Sequence, residues 1–286
     1  MKNKKIVCSF SSGLSSGMMA KILKDDYSKD NEIVFIMANT GKEDNRSLEF
    51  ADKCDKKFGL NLVWVEADIN PESGKGTRHI VKNFENLDRV GFTFEKGIQK
   101  YGIPSVANKW CNRDLKLAPI HSYIKNELGW SDYYTAIGIR ADEIDRISEH
   151  RVKNKLWYPL AEKGITKKDR NRFWNNMDFT IDIKGYEGNC SMCFEKTFRK
   201  LATIYKENPH LIDWWKEMEE KYSKIKIKGK DNYNSREENN FLRDNKSFQY
   251  VIDMSKTKFS KATDEYIYEN DLWDMAGSCD SGCSFY

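Results

Sequence analysis

Apolar positions come in short runs near the start of the chain, and each run ends in a polar turn. Ile6-Val7-Cys8-Ser9-Phe10 leads into Ser11-Ser12-Gly13-Leu14-Ser15-Ser16-Gly17, after which Met18, Met19, Ala20, Ile22 and Leu23 continue in a helix-like pattern. This reads as strand, tight loop, helix. Glu32-Ile33-Val34-Phe35-Ile36-Met37-Ala38 is a nearly unbroken apolar run, as expected of a strand covered on both faces. It ends in Asn39-Thr40-Gly41-Lys42-Glu43, and the pattern then predicts a helix from about Asn45 to Phe58 and a third strand over residues 60–68. Strands alternating with helices predict a parallel sheet with right-handed crossovers. Residues 133–140 supply a fourth strand-like run.

Between Asn70 and Asn108 the pattern weakens under glycines and Pro104, and only short helical pieces are expected. Lys109-Trp110-Cys111-Asn112-Arg113-Asp114-Leu115-Lys116-Leu117-Ala118 leads to a helix with Pro119 in its first turn and Ile120, Tyr123, Ile124 and Leu128 at helical spacing. Thr166 and Asp169 form a helix-start signal, with the helix running to about Asn176. Further helical stretches are expected through Tyr205 and from Pro209 to Tyr222, and residues 224–245, polar and basic, read as a mobile loop. The division expected is an α/β domain over 1–160 and a mainly helical region over 161–286.

With 286 residues, 39% of them hydrophobic, the chain can bury a substantial core. A net charge of +4 on 48 basic and 44 acidic residues does not demand a broad nucleic-acid-binding surface, although a local basic patch is compatible with it. No apolar run approaches the roughly 20 residues needed to span a bilayer, and the lysine-rich start does not read as a signal peptide. A cytoplasmic protein without a membrane partner is expected. Seven cysteines there are not expected to be a disulfide framework. Cys8 and Cys54 fall in core-like patterns.

The candidate chemistry begins with the serine- and glycine-rich loop. A helix start presents unpaired N–H groups and a partial positive charge, glycine allows close backbone approach, and serine adds small donors. A phosphate or sulfate over Ser11–Ser16 follows, although a plain strand-to-helix connection has the same composition. No Walker lysine and no Gly-x-Gly-x-x-Gly turn is present. In parallel sheets ligands sit beyond the carboxyl ends of strands, so the Ser11–Ser16 loop, the turn at 39–43 and the loop after Asp68 should converge. Lys109, Arg113 and Lys116 read either as a solvated face or as phosphate contacts; Arg140, with Asp142 and Glu143, reads as a surface ion pair or as an anion-binding guanidinium held by acids.

Cys190-x-x-Cys193 with Cys279-x-x-x-Cys283 is a two-plus-two thiolate set, suited to zinc or an iron–sulfur cluster. Two alternatives stand beside it. Cys190 and Cys193 could form a redox dithiol, or Cys111 could join them as a ligand and leave Cys279 or Cys283 as a nucleophile.

Four segments together carry a family resemblance: Ser9–Ser16, Asn39–Glu43, Lys109–Lys116 and Gly138-Ile139-Arg140-Ala141-Asp142-Glu143. In this order they resemble the phosphoadenosine phosphosulfate reductase family, of the PP-loop, adenine nucleotide alpha-hydrolase-like superfamily, and the later cysteines resemble its phage and mobile-element members. The resemblance implies a doubly wound, five-stranded parallel sheet binding ATP or phosphoadenosine phosphosulfate. The contacts it implies are Ser11, Ser12, Gly13, Ser15, Ser16, Asn39, Thr40, Gly41, Glu43, Arg113, Lys116, Gly138 and Arg140. It also implies sulfonucleotide reduction through Cys279 or Cys283, reset by a thiol reductant such as thioredoxin, or sulfur transfer to a nucleic acid acceptor. A nucleotide-binding sensor without turnover is the reading from another class. The chain departs from the pattern twice: ATP-cleaving relatives carry Asp at Ser15, and the reductases end in Glu-Cys-Gly-Leu-His where this tail reads Cys279-Asp280-Ser281-Gly282-Cys283.

Overall fold

The structure is a computed structural model that describes residues 1–263 except 73 and 189. Its centre is strand β1 (Lys5–Ser9), buried on both faces because Ile6 and Cys8 point to one side and Val7 to the other. Helix α1 (Leu14–Ile22) follows, then β2 (Glu32–Asn39), α2 (Asn45–Phe58), β3 (Val63–Ile69) and β4 (Thr77–Lys82). The expected second helix is found with the expected bounds. Asp44 caps it by accepting from the Arg46 amide, and Gly59 ends it in the left-handed conformation.

After β4 come α3 (Phe92–Tyr101), α4 (Trp110–Asn112), α5 (Ala118–Asn126), β5 (Tyr134–Ala136), β6 (Leu156–Trp157) and α6 (Pro159–Glu162). The described residues form a six-stranded sheet in the order β4-β3-β2-β1-β5-β6. Five strands are parallel and β4 is antiparallel to β3. This corrects the five-stranded sheet expected from the sequence. The strand at 77–82 escapes the apolar pattern because it is an edge strand, with exposed Arg78 and half-buried Lys82 keeping that edge polar.

Pro119 stands in the first turn of α5, as expected, but the helical path does not start there: α4 and a wide turn over Arg113–Leu117 precede it and run into it. Proline has no N–H to give residue 115 and its ring crowds that carbonyl, so the helix widens and the Ala118 amide reaches back to the Arg113 carbonyl.

The remaining helices are α7 (Lys167–Asn175), α8 (Phe198–Glu207), α9 (Asp213–Tyr222), α10 (Asp231–Asn234) and α11 (Phe248–Lys256). Thr166 caps α7 as expected. Packing runs across residue 160 in both directions. Trp174 of α7 lies in the α1–α2 core, edge-on to Phe50 and donating to the Leu14 carbonyl at 2.9 Å. Conversely, Ala67, Phe94 and Trp110 share a core with Leu201, Trp215, Phe241 and Phe248.

Residues 224–245 are not the mobile loop expected. Ile227, Phe241 and Leu242 are buried, and the Tyr233 hydroxyl accepts from the Ile103 amide. The buried Glu219 carboxylate takes the Phe241 and Phe248 amides at 3.2 and 2.8 Å. One isolated Ile227 and the adjacent pair Phe241–Leu242 were too few apolar side chains to register as a pattern.

Burial raises the Glu219 carboxyl to about 7, against the favourable pull of those two amides. Between its ordinary value and 7 the folded state therefore holds a proton that the unfolded chain releases. Stability from this group is full at the acid end and is lost as pH rises through that window. Urea unfolding midpoints should fall between pH 5 and pH 8 in the native chain, and Glu219→Gln should remove that part of the slope even where it lowers stability overall.

Candidate functional site

The chain order sends β2 and β3 to one side of β1 and β5 and β6 to the other, which opens a crevice at the carboxyl ends of β1 and β5. The loop after β1 and the loop after β5 meet there at backbone contact. A Cβ on Gly138 would stand 3.1 Å from the Ser16 amide nitrogen and 3.2 Å from the Ser15 carbonyl carbon. A side chain at Gly138 would press on this close approach of backbone to backbone, which glycine leaves unstrained.

Ser12 adopts a left-handed φ of 56° and its hydroxyl donates to the Ser11 carbonyl. The buried Ser16 hydroxyl accepts from the Ser11 and Gly13 amides, each at 3.2 Å, and donates to the Gly13 carbonyl at 2.9 Å. Ser16 thus shapes the loop from within. The amides of the first turn of α1 that follow have no acceptor inside the helix, and no acidic side chain stands in that turn.

Arg140, 7% exposed, brings its guanidinium to this opening and donates to the Ser15 hydroxyl at 3.0 Å. Asp142 and Glu143 fix it, with contacts at 3.0 and 3.1 Å, and the Asp142 carboxyl is held below the usual range against the cost of its burial. Arg140 is thus a buried guanidinium held by two acids at a helix start and not a surface ion pair.

Beside this opening lies a cleft of about 480 Å³, its open mouth included, walled by Ser9–Ser12, Met37, Ala38, Glu43, Asn112, Lys116, Leu117 and Ile120. The wide turn that Pro119 imposes carries Lys116 and Leu117 on this wall. Lys116 stands 4.0 Å from Glu43. Arg113 is placed differently: it is 63% exposed, binds Asp114 at 2.6 Å, lies over the Tyr101 ring and is not part of the cleft wall.

The turn after β2 divides its residues between structure and site. Asn39 is fully buried, donating to Glu66 and to the Asp88 carbonyl and accepting from the Gly41 amide. Gly41 has a φ of 84°, and a Cβ there would meet the Asp88 carboxylate. Glu43 accepts from the Thr40 amide and hydroxyl at 2.8 Å. Sequence reasoning quoted Lys42 without a role; it stacks over the Trp214 ring at 4.5 Å, and burial holds its ammonium below the ordinary lysine range.

Glu43 pairs as an isolated antiparallel bridge with Cys190, and the Ser191 amide donates to the Lys42 carbonyl. Cys190 Sγ thereby comes to 3.6 Å from Thr40 Oγ1. The loop that carries it is folded around Lys196, 2% exposed, whose ammonium donates to the carbonyls of Glu187, Cys190 and Ser191 at 3.1, 2.8 and 3.0 Å. Three carbonyls around one ammonium satisfy all its donors, a pairing no local pattern announces.

Cys111, Cys190 and Cys193 border the same core. The Cys111 thiol is pushed up to about 12, chiefly by burial and further by Cys190, so it is neutral at physiological pH. Among the described residues, no three His, Cys, Asp or Glu side chains are grouped to hold a metal ion. That holds for the alternative set with Cys111; Cys279 and Cys283 lie outside the described residues, and with them half of the four-thiolate set and both candidate nucleophiles. Among the described residues no helix is long and apolar enough to cross a membrane.

Two substitutions test this construction. Gly138→Ala forces apart two stretches of backbone and should cost about 1–3 kcal/mol in urea unfolding. Lys196→Met strands the buried Glu187 and Ser191 carbonyls and leaves the Cys190 carbonyl with the Cys193 amide alone, and should cost about 3 kcal/mol or more, with faster proteolysis near Cys190.

No protein-family model matches the chain. Over 208 residues it is 28% identical to the uncharacterized nin region protein ORF290 of Escherichia phage lambda, covering 72% of this chain and 71% of that protein. It is 27% identical over 234 residues to the uncharacterized protein MJ0973 of Methanocaldococcus jannaschii, covering 75% of this chain but only 47% of the archaeal protein, so the chain spans about half the length of that relative. Among solved structures, the U34-tRNA thiolase NcsA from Methanococcus maripaludis with its 4Fe-4S cluster aligns with a TM-score of 0.37 and 14% identity, over 80% of this chain and 75% of that one.

Proposed function

We propose that this chain binds an adenine nucleotide in the cleft at the carboxyl ends of β1 and β2 and uses it for sulfur chemistry, as a PP-loop protein similar to the phosphoadenosine phosphosulfate reductase family. The observation that carries the reading is the Arg140–Ser15 bond, which sets a buried guanidinium beside the N–H groups that open α1. A phosphate or phosphosulfate bound there meets charge-assisted donors already fixed by Asp142 and Glu143. Met37, Leu117 and Ile120 make the rest of the cleft apolar, which suits a purine, and Lys116 adds a cation where the two parts join.

The sulfur part of the proposal rests on the four sequence segments and on thiols beside the turn at Thr40. In sulfonucleotide reduction a cysteine thiolate attacks the sulfate sulfur and the adenosine phosphate leaves. The cysteine then carries the sulfonate, and a partner dithiol such as thioredoxin releases sulfite and becomes a disulfide. Cys279 and Cys283 remain the candidate nucleophiles. In nucleotide-dependent sulfur transfer the nucleotide would instead activate an acceptor, a nucleic acid among the candidates. The described residues do not assemble a metal centre, so no step is assigned to zinc or to an iron–sulfur cluster.

Ser15 favours a second reading. Its hydroxyl accepts Arg140 where ATP-cleaving relatives carry a carboxylate, which fits nucleotide binding without ATP cleavage, and so a sensor.

Titration calorimetry with ATP and with phosphoadenosine phosphosulfate tests the proposal. One of the two should bind, and Arg140→Met and Lys116→Met should each weaken binding about tenfold, or about 1.4 kcal/mol. Binding of neither nucleotide overturns it. Sulfite release from phosphoadenosine phosphosulfate with a dithiol present separates the reductase from the sensor.

A further inference from the structure

A second and larger cleft, about 920 Å³ with its open mouth, lies on the other side of the pairing between Lys42–Glu43 and Cys190–Ser191. Lys42, Arg46, Arg89 and His210 line it, together with Asn208 and Ser191. Its two acids are spoken for within the fold. Glu43 is bound by Thr40, and Asp44 caps α2 while binding Arg46 at 2.8 Å. The positive side is left in excess.

Arg46 also reaches the Glu187 carboxylate at 3.3 Å and the Asp182 carbonyl, so its guanidinium is fixed. Arg89 is fixed by neutral groups: it donates to the Asn45 side chain and to the Leu87 and Phe84 carbonyls, and lies over the Phe84 ring at 4.8 Å. Among the described residues no carboxylate forms an ion pair with Arg89, Lys42 or His210. The Asp88 and Glu43 carboxylates favour the Lys42 ammonium without pairing with it, and Asp88 itself accepts the amides of Val90, Gly91 and Thr93. A half-buried ammonium and a fixed guanidinium on the wall of one cavity, neither in an ion pair among the described residues, are stabilised further when a ligand brings an anion into contact with both.

We infer that this second cleft binds a phosphate group, held by Lys42 and Arg89 with His210 at the rim, and so presents a phosphorylated molecule beside Cys190. The source is either the backbone of a nucleic acid strand or a free phosphorylated small molecule. Val90 and Phe92, exposed on either side of Gly91, which abuts Lys42 and Trp214, lend the lip an apolar character that a nucleobase could use. The inference stands apart from the nucleotide assigned to the first cleft, because the two clefts share only Glu43 in their walls.

The test uses the full chain and two probes, inorganic phosphate at millimolar concentration and a fluorescent single-stranded oligonucleotide, each titrated with and without ATP. Lys42→Met and Arg89→Met should each weaken whichever probe binds about five- to tenfold and leave ATP affinity as it was. If the oligonucleotide binds far more tightly than phosphate, and each variant lowers the salt slope by about one, the source is a nucleic acid. If phosphate and ribose 5-phosphate bind as well as the oligonucleotide does, it is a small molecule. Arg89 also anchors the 84–87 turn, so Lys42→Glu serves as a second variant that leaves that turn intact. Probes that bind equally to native, Lys42→Glu and Arg89→Met chains, or that do not bind at all, overturn the inference, whereas loss of ATP binding alone bears only on the first cleft.

Discussion

The backbone of the loop after β5 rests directly on the backbone that opens α1, and the candidate site depends on that contact. A Cβ on Gly138 would press against the backbone of Ser15 and Ser16 at 3.1–3.2 Å. Two residues later the same loop delivers Arg140 to the Ser15 hydroxyl. Were the loops a side chain further apart, the guanidinium would lose that partner and the crevice between β1 and β5 would close over side chains instead of opening on amides. The strand order makes the contact available, since only at β1 does the chain turn from one side of the sheet to the other.

A second tier hangs on the first. The turn after β2 is fixed from behind by the buried Asn39–Glu66 pair and in front by Glu43 on Thr40, and it presents a short edge to which the Cys190 segment adds one bridge. A bridge of one residue pair does not hold a loop by itself. Lys196 supplies what is missing by drawing three carbonyls around one ammonium. The segment so held places Cys190 against Thr40 and Ser191 on the wall of the second cleft.

Several buried charges among the described residues are enclosed by partners, and Glu219 differs from them in kind. Arg140 has two acids, Lys196 has three carbonyls and Glu66 has Asn39 and the Asp88 amide. Glu219 has two amides, yet burial outweighs them and raises its carboxyl to about 7. Its carboxylate ties residues 241 and 248 to α9 in the aromatic core, which is how a polar stretch becomes ordered.

The sequence by itself determined the central strands, α1, α2 and α7 and the serine-rich opening of α1, because each is written in neighbouring residues: an apolar run, a helix cap, a turn glycine. It did not show β4, whose edge position leaves no apolar run, or the helical turns that precede Pro119 and run into α5. Nor did it separate Lys116, on the cleft wall, from Arg113, turned to Tyr101, since three residues along a widened helix point in directions that depend on the widening. Lys196 stood in no motif, and Lys42 in a quoted turn without a role. Only the tertiary structure could supply one, because an ammonium is defined by the carbonyls, rings and carboxylates that reach it from distant parts of the chain.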